Sequence, residues 1–327
     1  MMKVLVTGGA GFIGSHTVKL LREQGYQVVV VDRLAEGAMP GRDESVSFYQ
    51  LDLVSEQLER VFETERPDCV IHLAAQISVQ RSLKDPCQDA ENNIMGTIHL
   101  LMQCVRYGVK KLVFASSAAV YGTPESIPIQ ETDNTDPQSF YGVSKLVAER
   151  YIHSFAVQYG LDYVILRYAN VYGFKTTRSG EDGVITAFVE RILSGQPLEI
   201  FGSGEQTRDF VHVQDVAHAN VLAIRNGSRD IINISGGGGI SLLEIVGLLR
   251  ELSGVEPALH FLPPQSGDID HSVMCNRKAA EKLNWMPYYT LRDGLHTLLR
   301  HEAQYKTGLS MQPPGTRQPK LTGISTM

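Results

Sequence analysis

The chain has 327 residues, 43% hydrophobic and 20% charged, with a formal net charge of −6. That length asks for one large or two domains, and the acidic balance argues against nucleic acid or an anionic membrane as a general partner. No apolar run reaches the roughly 18 residues of a membrane helix, the first residues enter a strand pattern without a secretory leader, and Cys69, Cys87, Cys104 and Cys275 lack the spacing of a metal site or a disulfide framework. These features describe a soluble, cytoplasmic α/β protein without a metal.

The first strand pattern is "KVLVT" (3–7). Gly8, Gly11 and Gly14 follow it, and then a helix face marked by Ile13, Val18, Leu20 and Leu21. "QVVVVD" (27–32) is apolar until its last residue, as expected of a strand covered by helices on both faces. "VSFYQLD" (46–52), a helix near 55–64, "DCVIHLAA" (68–75), "KLVFASS" (111–117) and "DYVILRYAN" (162–170) continue the series, with helical patterns near 86–107 and 141–159. Strand–helix alternation of this kind predicts a doubly wound parallel sheet with right-handed crossovers. The pattern changes after about residue 170. A polar loop (173–183) and a helix near 183–194 open a smaller, mixed α/β substrate lobe. The predicted division is a nucleotide-binding domain over 1–170, a second lobe over 171–305 with the chain free to cross between them, and a polar, mobile tail over 306–327.

Glycine inside a regular element costs roughly 0.5–1 kcal/mol against alanine, so three of them where a strand hands over to a helix need a reason. A diphosphate is one. A helix start offers free N–H groups and a partial positive charge, and side chains at the turn would hold the ligand away. Asp32, ending the second strand, is placed to accept hydrogen bonds from an adenosine ribose and to repel a 2′-phosphate, which favours NAD over NADP. The neighbouring Arg33 works against that preference. Asp52, after the third strand, suits either the adenine amino group or a helix N-cap.

A second constellation lies in "SFYGVSKLVAER" (139–150). Tyr141 and Lys145 are spaced i, i+4 and share a helix face. A phenol ionises near 10 and is a poor base at neutral pH unless a cation stabilises its anion. Lys145 is such a cation. Ser116 and Ser117 end the strand 111–117, at the sheet edge where folds of this type bind ligands.

The motifs "VTGGAGFIGSH", "VDR", "LDL", "IHLAA", "SSAAVYG", "YGVSK", "RYANVYG" and "GEQTRDFVHVQDVAHA" occur in order from residue 6 to about 219, with a weaker echo in "SGDIDHSVMCNRKAAEKLNW" (266–285). On these the chain resembles the NAD-dependent epimerase/dehydratase branch of the extended short-chain dehydrogenase/reductase family. The resemblance covers nearly the whole chain without its tail, and implies a Rossmann-type fold and bound NAD. It further implies reversible C4 epimerisation of a UDP-hexose through a 4-keto sugar, with UDP-glucose and UDP-galactose as substrates and their N-acetyl forms as further candidates. By the same resemblance Ser117, Tyr141 and Lys145 are catalytic, Lys145 lowering the pKa of the phenol and holding the nicotinamide ribose. The cofactor set is Gly8, Gly11, Phe12, Ile13, Gly14, Asp32, Arg33, Asp52, Leu53, Ala74, Ala75, Asn93 and Ser116 with Tyr141 and Lys145. The residues alone leave Asn93 open as a capping or core asparagine. The substrate set is Ser117, Tyr141, Asn170, Arg208 and Asp268, with Arg208 on the diphosphate. A homodimer built from the helices near 86–107 and 141–159 is also implied.

The sequence departs from the family at two places. Gln265 stands where many relatives carry an arginine, which leaves a phosphate contact to Arg178 or Arg277. Ser272 falls where some epimerases have a bulky tyrosine, and a small residue there leaves room for an N-acetyl group. Ala118 and Ala119 occupy the place of the acid pair that dehydratases use, and alanines move no protons. The alternatives are a UDP-uronic acid 4-epimerase or decarboxylase, with Arg178 meeting a C6 carboxylate, and a non-catalytic NAD-binding protein on the same fold. His212 and His218 read as structural.

Overall fold

The computed structural model describes residues 1–34, 45–174, 183–264 and 269–306. Arg178, Gln265, Asp268 and the tail from 307 lie outside the described residues. Strand β1 (Lys3–Thr7) passes through the glycine turn into α1 (Phe12–Glu23), β2 (Gln27–Asp32), β3 (Val46–Gln50), α2 (Gln57–Glu65) and β4 (Cys69–His72). Next come α3 (Val79–Lys84), α4 (Pro86–Ala90), one π-helical turn (Glu91–Met95), α5 (Gly96–Arg106), β5 (Lys111–Ser117), α6 (Phe140–Tyr159) and β6 (Asp162–Tyr168). The remainder runs β7 (Asn170–Tyr172), α7 (Val184–Leu193), β8 (Leu198–Phe201), β9 (Thr207–His212), α8 (Val213–Ala223), β10 (Asp230–Ile234), β11 (Gly239–Ser241), α9 (Leu242–Ser253), β12 (Leu259–Leu262), β13 (His271–Ser272), α10 (Arg277–Leu283) and α11 (Leu291–Lys306).

The main sheet has seven strands in the order β10-β6-β5-β4-β1-β2-β3, every pair parallel. Its continuous apolar runs serve two cores. Val4, Val6, Val28 and Val30 face one side with Val18 and Leu21 of α1. Leu5, Val29 and Val31 face the other with Leu58 and Phe62 of α2 and Leu100 and Leu101 of α5. Each strand residue thus removes apolar surface from water on one side or the other, at about 1.5–3 kcal/mol for a fully buried side chain. Strand order reverses between β1 and β4, and the crevice beyond their C-terminal ends is where sheets of this kind hold ligands.

The chain does not stay on its own side of residue 170. β10 pairs with β6, as Asp230 lies beside Val164 and Ile234 beside Tyr168, and α8 lies against α1. Residues 213–234 therefore complete the first sheet and one of its helical layers. The smaller lobe holds β7, β9, β11 and β13 in one sheet and β8 with β12 in another, around a core of α7, α9 and α11 that includes Phe188, Val189, Ile245, Leu249, Leu295 and Leu298.

Two predicted elements are divided. The strand expected over 162–170 stops at Tyr168, where Ala169 N–H bonds the Ile234 carbonyl (2.9 Å) and the chain then pairs with β9 of the other lobe. The helix expected over 86–107 contains the π-helical turn at Glu91–Met95. The turn presents Asn93, 2% exposed, to the loop after β4. There its Oδ1 accepts from Gln76 N (2.8 Å) and its Nδ2 donates to Gln76 O (2.9 Å). A side-chain amide takes the place of a neighbouring strand and satisfies a buried loop backbone.

Candidate active site

Gly8 and Gly14 have steric roles at the strand-to-helix turn. Gly8 has φ +70°, and a Cβ there would lie 2.7 Å from Ala74 N. A Cβ on Gly14 would run into the backbone of Gly8 and Gly9. Both glycines let α1 start directly on the ends of β1 and β4. Gly11, in extended conformation, is the N-cap of α1 and offers no side-chain acceptor, so the N–H groups of Phe12, Ile13 and Gly14 are left for a ligand. That donor set fits a dinucleotide diphosphate. Asp32 stands at the end of β2, 8% exposed, and its carboxylate accepts from Ala10 N and Leu34 N (2.9 Å each). It thereby pins the glycine turn while each oxygen keeps lone pairs for ribose hydroxyls. Arg33 is exposed, with Nη1 3.5 Å from Asn92 Oδ1.

Asp52 does not cap a helix. Its Oδ1 accepts from Val54 N (3.2 Å) in a turn that ends before α2, whose N-cap is Glu56. Leu53 is buried in the core below and meets Gly96. Ala74 and Ala75 follow β4, and Ala74 N donates to Thr7 Oγ1 (3.3 Å). Beneath them His72 sits between two hydroxyls, Thr7 Oγ1 at 2.7 Å from Nδ1 and Thr97 Oγ1 at 3.0 Å from Nε2. Thr97 gives its proton to Asn93 O (2.6 Å), so the imidazole is neutral with its proton on Nε2. Burial agrees, pushing His72 down to about 3.

At the C-terminal end of β5 the two serines diverge. Ser116 is 3% exposed and donates to Glu149 Oε1 (2.5 Å). Ser117 begins a 3-10 turn through Ala118, Ala119 and Val120, accepts from Ala119 N, and lies close enough to the Tyr141 phenol to favour its anion. Ser139 caps α6 by accepting from Gly142 N (3.1 Å), and Gly160 ends the helix with φ 76°. This long helix, fixed at both ends, holds Tyr141 and Lys145 one turn apart. Lys145 Nζ donates to Ala115 O (2.9 Å) and lies 4.9 Å over the Phe114 ring.

The expected lowering of the phenol by Lys145 is absent from the protein alone. Desolvation pushes Tyr141 up to about 12; Ser117 opposes this and the Asp89 carboxylate adds to it. Lys145 is brought down to about 8 by burial, against the carboxylates of Asp89 and Glu149. At neutral pH the pair is phenol and ammonium.

In the second lobe Asn170 is exposed at the start of β7, paired with Phe210. Arg208, on β9, donates from Nη1 to Thr207 O (3.0 Å) and Asp270 O (3.3 Å), and Ser272 of β13 is its neighbour across the strands. His212 is buried and stacks on Tyr289 at 4.0 Å between centroids, and His218 is held below its usual range by burial. No group of three His, Cys, Asp or Glu among the described residues could hold a metal ion.

Four residues of the site have no place in the motif reading. Glu149 and Arg167 form a buried bidentate ion pair (2.6 and 3.0 Å) under Ser116, with Arg167 4.7 Å over the Tyr121 ring. Gln76 and Asp89 hydrogen-bond each other (2.8 Å) beside Asn93. A charged residue inside an apolar strand, Arg167 in "DYVILRYAN", was the available signal for the first pair; Gln76 and Asp89 carry none.

The glycine turn, Asp32 and the Ser117, Tyr141 and Lys145 group lie along the C-terminal edge of the parallel sheet. The model of the NAD dependent epimerase/dehydratase family matches residues 4–235. The UDP-glucose 4-epimerase of Halalkalibacterium halodurans is 40% identical over 318 residues, covering 92% of this chain and 94% of its own. Among solved structures, the UDP-glucose 4-epimerase of Thermotoga maritima with UDP-glucose superposes with a TM-score of 0.88 at 43% identity, covering 94% of this chain and 99% of that one. That of Thermus thermophilus in complex with NAD has a TM-score of 0.86 at 40% identity, over 92% and 98% of the two chains. Matched through its fold, its glycine turn and both of its lobes, the chain belongs to the NAD-dependent epimerase/dehydratase family.

Proposed function

We propose that the protein is a UDP-hexose 4-epimerase that interconverts the glucose and galactose forms by reversible oxidation at C4. The observation that carries this reading is the placing of Ser117, at the end of β5, where it acts on the Tyr141 phenol, with the Lys145 side chain one helical turn behind that phenol. The cofactor supplies a reversible hydride acceptor, and the residue roles follow from it. The Tyr141 oxygen takes the proton of the 4-hydroxyl and later returns it. Ser117 holds the same oxygen of the sugar in line with the phenol. Lys145 contributes positive charge that favours the phenolate, together with donors for the nicotinamide ribose. Since the phenol of the protein alone stands near 12, the charge of the bound cofactor has to supply the rest of the lowering. Proton removal is thereby tied to the presence of the hydride acceptor.

Phe12, Ile13 and Gly14 would hold the diphosphate of NAD through backbone N–H groups, and Asp32 its ribose. Arg208 and Asn170 are assigned to the sugar nucleotide. The Arg208 bonds to Thr207 O and Asp270 O fix its guanidinium, and a fixed cation suits a diphosphate. Ala118 and Ala119 fill the 3-10 turn beside Ser117 with groups that carry no proton, which disfavours dehydration. Ser272, adjacent to Arg208 across β13 and β9, is too small to exclude an N-acetyl group at C2.

Side-by-side assay of UDP-glucose, UDP-N-acetylglucosamine and UDP-glucuronate tests the assignment. UDP-glucose is expected to give UDP-galactose with transient absorbance of reduced nicotinamide, and UDP-N-acetylglucosamine to react as well. Turnover confined to UDP-glucuronate would move the protein to the uronate class. No reduced band with any sugar would point to a non-catalytic NAD-binding protein.

The outer faces of α5 and α6 expose Met102, Val143 and Val157, while Leu100, Leu101, Ala148 and Ile152 of the same helices are buried against the sheet. We assign this outer face to a homodimer. Light scattering at micromolar concentration is expected to give twice the chain mass, and Val143→Glu with Val157→Glu to halve it; a parent that is monomeric throughout rejects the interface.

A further inference from the structure

Four charged side chains are buried on or beside α6, the helix that carries Tyr141. Lys145 and Glu149 are 3% exposed, Arg167 is 3% exposed and Asp89 is 1% exposed. Glu149 is matched by Arg167 through two hydrogen bonds. Asp89 has no such cation. Its Oδ1 accepts from the neutral amides of Gln76 (2.8 Å) and Asn93 (3.2 Å). The Asn93 amide also donates to Ser144 Oγ (3.0 Å), and that hydroxyl donates to the Tyr141 carbonyl (3.0 Å). Ser144 lies between Tyr141 and Lys145 on the first turn of α6. A continuous hydrogen-bonded path therefore ties this carboxylate to the turn that carries the site, and a carboxylate left without a cation in a buried place needs a compensating reason.

We propose that Asp89 is a positioning residue that acts by charge, the fixed buried anion against which the Tyr141–Lys145 pair ionises. The inference rests on the roles given to Tyr141 and Lys145 above. With neutral Tyr141 the buried charges cancel: Lys145 and Arg167 positive, Glu149 and Asp89 negative. Ionising Tyr141 then leaves the cluster one negative charge in excess, a state favoured only when a cation arrives beside it. Asp89 disfavours the phenolate and favours the ammonium. Of the other groups near the pair, Glu149 also favours the Lys145 ammonium, but only Asp89 acts on both members. His72 is neutral, Tyr168 on β6 donates its proton to Asn220 (2.6 Å), and Ser117 carries no charge. Arg81, Lys84 and Glu91 are exposed and His99 is half-buried, so solvent screens them.

The test is Asp89→Asn, which keeps an oxygen for both amide donors and removes only the charge. In the NAD-loaded protein both limbs of the kcat/KM profile are expected to move to lower pH by about one unit, because one anion raised both groups. The tyrosinate absorbance titration, corrected with Tyr141→Phe, is expected to move by the same amount. Asp89→Ser, smaller and equally neutral, should move both in the same direction. A profile that loses height without moving assigns Asp89 to structure and overturns the proposal, as does failure of both neutral variants to fold. A shifted tyrosinate titration in a protein that epimerises no sugar would leave the proposal standing and reject the function instead.

Discussion

Tyr141→Phe is expected to lower epimerase turnover about a thousandfold, the middle of the range for removing a general acid–base group, while NAD stays bound. The two effects separate because the phenol and the dinucleotide cradle are held by different elements. Tyr141 stands on the first turn of α6, fixed by the Ser139 cap, whereas the diphosphate site is built from the turn between β1 and α1. The ring itself would be unchanged, so the fold loses only the polar contacts of one hydroxyl, about 1 kcal/mol. Steady-state turnover with UDP-glucose, NAD content after gel filtration and a thermal melt check the three parts. Turnover within tenfold of the parent would remove Tyr141 from proton transfer. Loss of NAD together with activity would make the effect one of binding.

Gly14→Ala should act on the opposite part of the site. The added Cβ meets the Gly8 carbonyl oxygen and the Gly9 Cα, and both are backbone, so no side chain can turn aside. Helix α1 must move off the end of β1, at a cost of about 3 kcal/mol, the upper end for overpacking. Its first-turn N–H groups move with it. The expected result is a protein that melts several degrees lower and is purified without NAD. Gly247→Ala is the control. Gly247 lies within α9 and a Cβ there meets nothing within 4 Å, so alanine should raise stability by about 0.5–1 kcal/mol. Gly14→Ala protein with full NAD content would refute the close-packing role.

The two variants divide the site as the sequence divides it. Three glycines spaced three apart and a tyrosine four residues before a lysine are local patterns, each dictated by one turn or one helix face. They were legible because the constraint and the residues that answer it are neighbours in the chain. The alternating strands were legible for the same reason, since a strand covered on both faces must be apolar throughout, as "QVVVVD" is. Ser116 shows the limit of such reading. It adjoins Ser117 and looks equivalent, yet strand alternation turns it inward to Glu149, and only the partner on α6 reveals this.

The protein's own sequence determined the order of the main sheet's elements, the dinucleotide turn and the Ser–Tyr–Lys group, because periodicity and short spacings encode them. Tertiary structure decided what depends on residues distant in the chain. It returned residues 230–234 to the first sheet and broke the helix expected over 86–107 with a π-helical turn, so that Asn93 could bond the Gln76 backbone. It also set Asp89, 52 positions before Tyr141 in the chain, beside that phenol. Charge in a desolvated interior acts through space with little screening, and no spacing rule along the chain registers it.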